Sequence, residues 1–318
     1  MRNPLILPVY VPTFLLAFGR GMLIPILPVY AKSFDISYGL VGLVIASQGI
    51  GNLIGDIPAG ILQGRLGQRW SMLLGIAIVG FSTLAMSWAQ SVPELVAYGL
   101  ISGLGMAMFN ISRHAYITTA TPLHRRGRAI AIFGGINRIG TFAGPVIGGL
   151  IGAAFGLRMP FVIYGAVAAV AFALPAIFAI EVEDRRHISR GGLRGHGSHL
   201  ASILREHHRV LTSAGLGQLF AQTIRSGRTI IVPLYASDVL GLEVAAIGTI
   251  ISLSSLIDMS MFYPAGLIMD RYGRKFAYVP SFLIQSLGMA MIPFTGSFLD
   301  CWRRRWSSAS ATASVPAP

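Results

Sequence analysis

Pro58-Ala59-Gly60-Ile61-Leu62-Gln63-Gly64-Arg65-Leu66-Gly67-Gln68-Arg69 ends a long apolar run, and a second apolar run follows at once. The same design returns 206 residues later as Pro264-Ala265-Gly266-Leu267-Ile268-Met269-Asp270-Arg271-Tyr272-Gly273-Arg274-Lys275. In both copies a short basic turn joins two stretches that carry almost no charge. The correspondence spreads outward from there. Pro28-Val29-Tyr30-Ala31 is answered by Pro233-Leu234-Tyr235-Ala236, and Gly42 by Gly248. Arg20 and Arg225 each stand eight residues before the proline of their copy. A repeat of this length in one orientation predicts a duplicated half with parallel topology.

Of the 318 residues, 53% are hydrophobic and only 12% are charged, with a mean hydropathy of +0.66. Soluble proteins carry about 25% charged residues, so this chain belongs in a bilayer. At about 20 apolar residues per crossing, nine helices are predicted over 5–31, 38–62, 71–89, 94–121, 128–153, 159–181, 210–236, 244–268 and 276–298. The 38 glycines and 17 prolines within these runs suit transmembrane helices, which tolerate both. Met1-Arg2-Asn3 leads into the first run without a small-residue cleavage site, so the first helix is expected to be retained. Cys301 is the single cysteine, which excludes an intrachain disulfide and a cysteine-based metal site.

A net charge of +13 invites a nucleic-acid reading, but the basic residues sit in short turns between apolar runs. With the N-terminus in the cytoplasm, fifteen of the 25 Arg and Lys fall on that side, and the opposite turns hold only Lys32 and Arg158. The positive-inside bias therefore orients the chain in the cell membrane. The expected organisation is an N-terminal six-helix bundle (1–181), a cytoplasmic linker (182–209), three helices of a second bundle (210–298) and an irregular tail (299–318). In the linker, Leu200, Ile203, Leu204 and Leu211 have helical spacing, which suits a short helix on the membrane surface. Its His196, His199, His207 and His208 lack acidic or cysteine companions at a defined spacing and read as a solvated loop. Asp300-Cys301-Trp302-Arg303-Arg304-Arg305 breaks the charge bias of every other turn, which reads as a truncated or frameshifted end or else as a short disordered extension.

Both turns resemble the G-x-x-x-D-R-x-G-R-[RK] loop of the major facilitator superfamily, found between the second and third helices of each six-helix half. The second copy matches every position, whereas the first has Gly64 for the Asp and Gln68 for an Arg. The resemblance implies an all-α polytopic bundle with a complete first half and a partial second half. It also implies secondary transport of a small molecule by alternating access, with Arg65, Arg69, Asp270, Arg271, Arg274 and Lys275 as gating-loop residues. Asp270 would meet the cytoplasmic end of helix five, and simple topological anchoring is an equally good reading of the basic residues. Gly140-x-x-x-Gly144-Pro145-x-x-Gly148-Gly149 resembles the antiporter motif of the drug–proton antiporter branch, although that pattern's first glycine is here Ala131. Arg113 looks like that branch's helix-four arginine, without the Gln-Gly that follows it there (Tyr116-Ile117 here). The branch implies proton-coupled efflux, and metabolite uptake or a non-transporting fragment are the other readings.

Charges inside a bilayer are costly and by default face a cavity or a partner. Gln48, Asn52 and Asp56 fall at i, i+4 and i+8 on helix two, and Gln218, Gln222 and Arg225 form a similar stripe on helix seven. Asn110 and Arg113, Asn137 and Arg138, and Asp258 add polar groups on helices four, five and eight, so together with Arg20 a wet central path is expected. Asp56 and Arg113 lie at similar depth and could pair, either as a proton-linked switch or as a static buried pair. Asp258 is the second candidate proton carrier. Five helix arginines against two aspartates lean toward an anionic or zwitterionic substrate. Gly49-x-Gly51-x-x-x-Gly55 fails as a dinucleotide loop because no strand precedes it. No catalytic grouping, metal set or phosphate loop appears in a plausible setting, so no enzyme activity, cofactor or nucleic-acid partner is expected.

The repeat predicts that single cysteines placed by Arg65→Cys and by Arg271→Cys, each in a Cys301→Ser background, react with an impermeant thiol reagent from the same membrane face. Labelling from opposite faces would dissolve the duplication.

Overall fold

A computed structural model describes residues 5–179, 208–260 and seven single positions between 271 and 290. The loop around Asp270, Arg274 and Lys275, the linker before residue 208, the body of the predicted ninth helix and the tail lie outside the described residues, as do the side chains of Gln218, Arg225 and Asp258.

Among the described residues the protein is all-helical. A π-helical turn, Ile6–Tyr10, runs into α1 (Val11–Lys32), followed by α2 (Tyr38–Met86), α3 (Val92–Ala120), α4 (Arg126–Phe155), α5 (Met159–Phe178), α6 (His208–Asp238) and α7 (Val244–Ser260). The chain divides into two compact units. Residues 1–206 with 242–259 form one, and residues 207–241 with 260–318 the other. The first unit therefore holds α1 to α5 together with α7, while α6 belongs to the second.

Five of these helices are long and apolar enough to cross a membrane. The exception in scale is α2, at 49 residues. At 1.5 Å per residue such a rod would reach about 74 Å, more than twice the roughly 30 Å hydrocarbon core, so it supplies two crossings. The break is Gly67, with φ 84° and ψ 171°, a region that is essentially closed to residues with a Cβ. The helices expected over 38–62 and 71–89 are thus two limbs of one continuous run, joined through a single glycine of the repeated turn.

Each helix end has a local cause. Ser37 caps α2 by accepting from the Leu40 amide at 3.4 Å. Before α3, Glu94 accepts from the Ser91 hydroxyl (2.6 Å) and from the Gln90 amide (3.1 Å), which ties the chain entering the helix to its first turn, where a carboxylate suits the dipole. Gly156, at φ 90°, ends α4, and Pro160 opens α5 in the first turn, where its missing amide costs nothing.

Inside lipid, helices associate by van der Waals contact and hydrogen bonds, which favours small residues at the seams. On the first limb of α2, Gly51 and Gly55 press on Leu100, Leu104 and Ala107 of α3. In return, α3 brings Gly99 and Gly103 against Ser47, Gln48 and Asn52. The second limb repeats the device through Gly75, which meets the backbone of Gly105 and Phe109. α1 packs on α4 and α5, and two tyrosines fix its ends. Tyr10 donates to the Ala129 carbonyl at the start of α4 (3.4 Å), and Tyr30 donates to the Met86 carbonyl at the end of α2 (3.2 Å).

A Cβ at position 67 would be forced into that glycine-only region, so Gly67→Ala is expected to cost about 1–3 kcal/mol. The check is the thermal unfolding midpoint in detergent, and an unchanged midpoint would contradict the reading of this turn.

Candidate functional site

A cavity of about 540 Å³ opens among three helices of the first unit. α1 contributes Thr13, Leu16, Ala17 and Arg20, and α3 contributes Met106, Phe109, Asn110, Arg113 and His114. α4 completes it with Phe133, Gly134, Asn137, Arg138 and Thr141. Within each helix these positions recur at three- and four-residue steps, so each presents one face.

Arg113 is the anchor of the site. It is only 6% exposed, and its guanidinium contacts two rings, 4.2 Å from the Phe133 centroid and 4.8 Å from that of Phe109. Such contacts strengthen when water is excluded. One Nη donates to Asn110 Oδ1 at 2.9 Å, one turn back on the same helix, while Nε is buried without a hydrogen-bond partner. His114 meets the edge of Phe133, with centroids 5.2 Å apart. Thr141 turns its hydroxyl back onto the Asn137 and Arg138 carbonyls.

Of the residues the sequence marks for a polar path, the structure brings Arg20, Asn110, Arg113, Asn137 and Arg138 together here. The α2 stripe goes elsewhere. Gln48 donates to Ser102 Oγ of α3 at 3.4 Å, Asn52 is half-buried beside Gly103, and Asp56 is exposed. None of the three lines this cavity. The Asp56–Arg113 pair allowed by matching depth is not formed, because Arg113 spends its contacts on Asn110 and the two phenylalanines. Gln222 is exposed on α6. Sequence reasoning passed over His114, Phe109 and Phe133. Phe133 stands one turn before Asn137, and His114 one turn after Asn110, so extending each polar pair by four residues finds both.

The glycine motif of α4 has two working faces. Gly140, Gly144 and Gly148 lie against α1, touching Phe14, Ala17, Phe18, Gly21 and Met22. Gly149 lies instead against Val244, Ala245 and Gly248 of α7, and Gly248 abuts the Pro145 carbonyl. Pro145 removes one donor from the α4 ladder. Beside that gap Ser252 of α7 reaches in, donating to the Phe142 carbonyl (2.8 Å) and accepting from the Val146 amide (3.1 Å).

In the first basic turn Arg65 is exposed, whereas Arg69 turns inward and donates to the Ala176 carbonyl near the end of α5, where a cation suits the helix dipole. Gln68 is buried and donates to Thr119 Oγ1 at 3.0 Å, tying the turn to the end of α3. Arg271 of the second turn is exposed.

The sequence profile of the Major Facilitator Superfamily matches residues 9–314. An uncharacterised MFS-type transporter of Methanocaldococcus jannaschii is 22% identical over 291 residues, covering 92% of this chain and 75% of that protein. Multidrug resistance protein 2 of Bacillus subtilis is 29% identical over 180 residues, 55% of this chain and 44% of that one. The chain therefore spans less than half the length of the second relative. Among solved structures, a bacterial homolog of the human lysosomal transporter Spinster superposes with a TM-score of 0.70 at 16% identity. The match covers 86% of this chain and 64% of the other, a likeness of fold.

Ser252→Ala removes the hydroxyl that bridges α7 to the proline gap of α4. The expected loss is about 1 kcal/mol, read as a lower unfolding midpoint together with faster hydrogen exchange at the Val146 amide. Unchanged exchange there would show that the bridge carries nothing.

Proposed function

Because the chain belongs to the Major Facilitator Superfamily, we propose that it moves a small organic molecule across the membrane by alternating access, with proton-coupled export as its direction. The observation that carries this reading is the cavity among α1, α3 and α4. Its volume falls within the roughly 300–1,000 Å³ of small-molecule sites, and polar groups from three predominantly apolar helices line it. Transport needs such a place, where cargo sheds water without entering lipid.

Export is favoured by the likeness of the α4 glycine run to the antiporter motif and by a relative named for multidrug resistance. The gating loops would then work through their contacts. Arg69 and Gln68 tie the first turn to α5 and α3, so this turn moves with the first bundle as one body. Asp270 of the second turn would dock on the cytoplasmic end of α4.

Proton coupling requires a carboxylate that changes charge during the cycle. Asp56 suits this role because it stands on an apolar spanning helix without an ion-pair partner among the described residues, and it is exposed. A charge held at bilayer depth costs at least about 2.5–3.5 kcal/mol, so this group must either face a wet path or take up a proton. Asp258 would be the second carrier.

Proteoliposomes carrying an imposed pH gradient test the scheme with fluorescent aromatic probes of either charge. Asp56→Asn is expected to abolish gradient-driven accumulation while leaving downhill exchange in place. Undiminished uphill transport in that variant would remove Asp56 from the coupling.

A further inference from the structure

Three arginines line the cavity, and among the described residues that line it there is no aspartate and no glutamate. Arg113 is the most confined of the three, in cation–π contact with Phe109 and Phe133 and 6% exposed. A guanidinium carries five N–H donors, and Asn110 accepts from one Nη while Nε has no hydrogen-bond partner. Both rings lie within cation–π distance of it, and Nε remains a buried donor with no acceptor. Burying a charge without a counter-charge is among the costlier things a fold can do. Here the walls hold a second guanidinium, Arg20, in place of an acid.

Resting on the transport reading above, we propose that the cargo is an organic anion. Its carboxylate-, sulfonate- or phosphonate-type head lies between Arg20 and Arg113, and its apolar body lies against Leu16, Met106 and Phe133. The head supplies a counter-charge that the described walls lack, and it accepts from guanidinium donors suited to planar oxyanions. Asn137 and His114 add polar contacts in the same space. Among the described lining residues an organic cation would meet Arg20 and Arg113 and no acid. An anion on an apolar body could also be a lipid headgroup, so the test separates a soluble ligand from a lipid.

The experiment measures binding calorimetrically to the full chain in phosphatidylcholine nanodiscs, with no gradient present. Three probes share one ring system: 2-naphthoate, 2-naphthalenemethanol and 2-naphthylmethylammonium. The expected order is naphthoate first, with the ammonium weakest. Arg113→Ala should weaken naphthoate by at least about 30-fold, and Arg20→Ala should do the same from an exposed position where folding is not at stake. Arg113→Lys should restore part of the affinity by returning the charge without the fork. Unfolding midpoints of all variants are recorded, and Arg20→Ala decides the matter if Arg113→Ala fails to fold. Equal or tighter binding of the ammonium overturns the proposal, as does naphthoate binding indifferent to Arg20→Ala. Adding phosphatidylglycerol should leave naphthoate affinity unchanged, and loss of that affinity would assign the site to a lipid. The two readings fail separately. Naphthoate bound but never carried would defeat the transport mechanism alone, whereas a cation carried under a pH gradient with no anion bound would defeat this inference alone.

Discussion

Two helices surrounded by lipid gain nothing by hiding leucine from leucine, and the whole of this structure answers to that constraint. What remains to hold the rods together is the closeness of their backbones, and closeness requires side chains that are scarcely there. Gly51 and Gly55 against α3, Gly99 and Gly103 against α2, and Gly140, Gly144 and Gly148 against α1 are three solutions to one problem. Polar bonds then fix what packing brings near. Tyr10 and Tyr30 secure the two ends of α1, and Ser252 secures α7 beside the proline of α4.

This mode of assembly also makes room for the cavity. α1 spends one face on the glycines of α4, and α3 spends its glycines on α2. The faces left over, bearing Arg20, Arg113 and Asn137, converge where no small-residue seam closes them. Contacts with two rings and with Asn110 hold the long Arg113 side chain in place, which avoids part of the ordering cost that binding would otherwise incur.

The fold was legible where the sequence carried a pattern with one physical meaning. Near-absence of charge over 20-residue runs means lipid, whereas the left-handed break at Gly67 became visible only in the structure. The site was legible in part. Arg20, Asn110, Arg113, Asn137 and Arg138 stood out because charged and amide groups are rare in these helices. Gln48 and Asn52 stood out equally, yet they lie at the seam between α2 and α3. A polar stripe marks a face that avoids lipid, and a neighbouring helix provides that shelter as well as a water path does. Phe109 and Phe133 were invisible for the opposite reason, since an aromatic ring in an apolar helix has no distinguishing company until its cation is seen. Gly49-x-Gly51-x-x-x-Gly55 was rightly refused as a nucleotide loop, and Gly51 and Gly55 turn out to be packing surface.

Arg69 carries a consequence for how such chains come into being. Its charge adds to the Arg and Lys bias by which the orientation of a membrane chain is set during synthesis. In the finished protein the same guanidinium is bonded to the Ala176 carbonyl at the far end of the bundle's last rod. The signal read while the chain is threaded into the bilayer is afterwards consumed as mortar. A single side chain thus answers first to the insertion machinery and later to the fold, and selection on either job is felt by both.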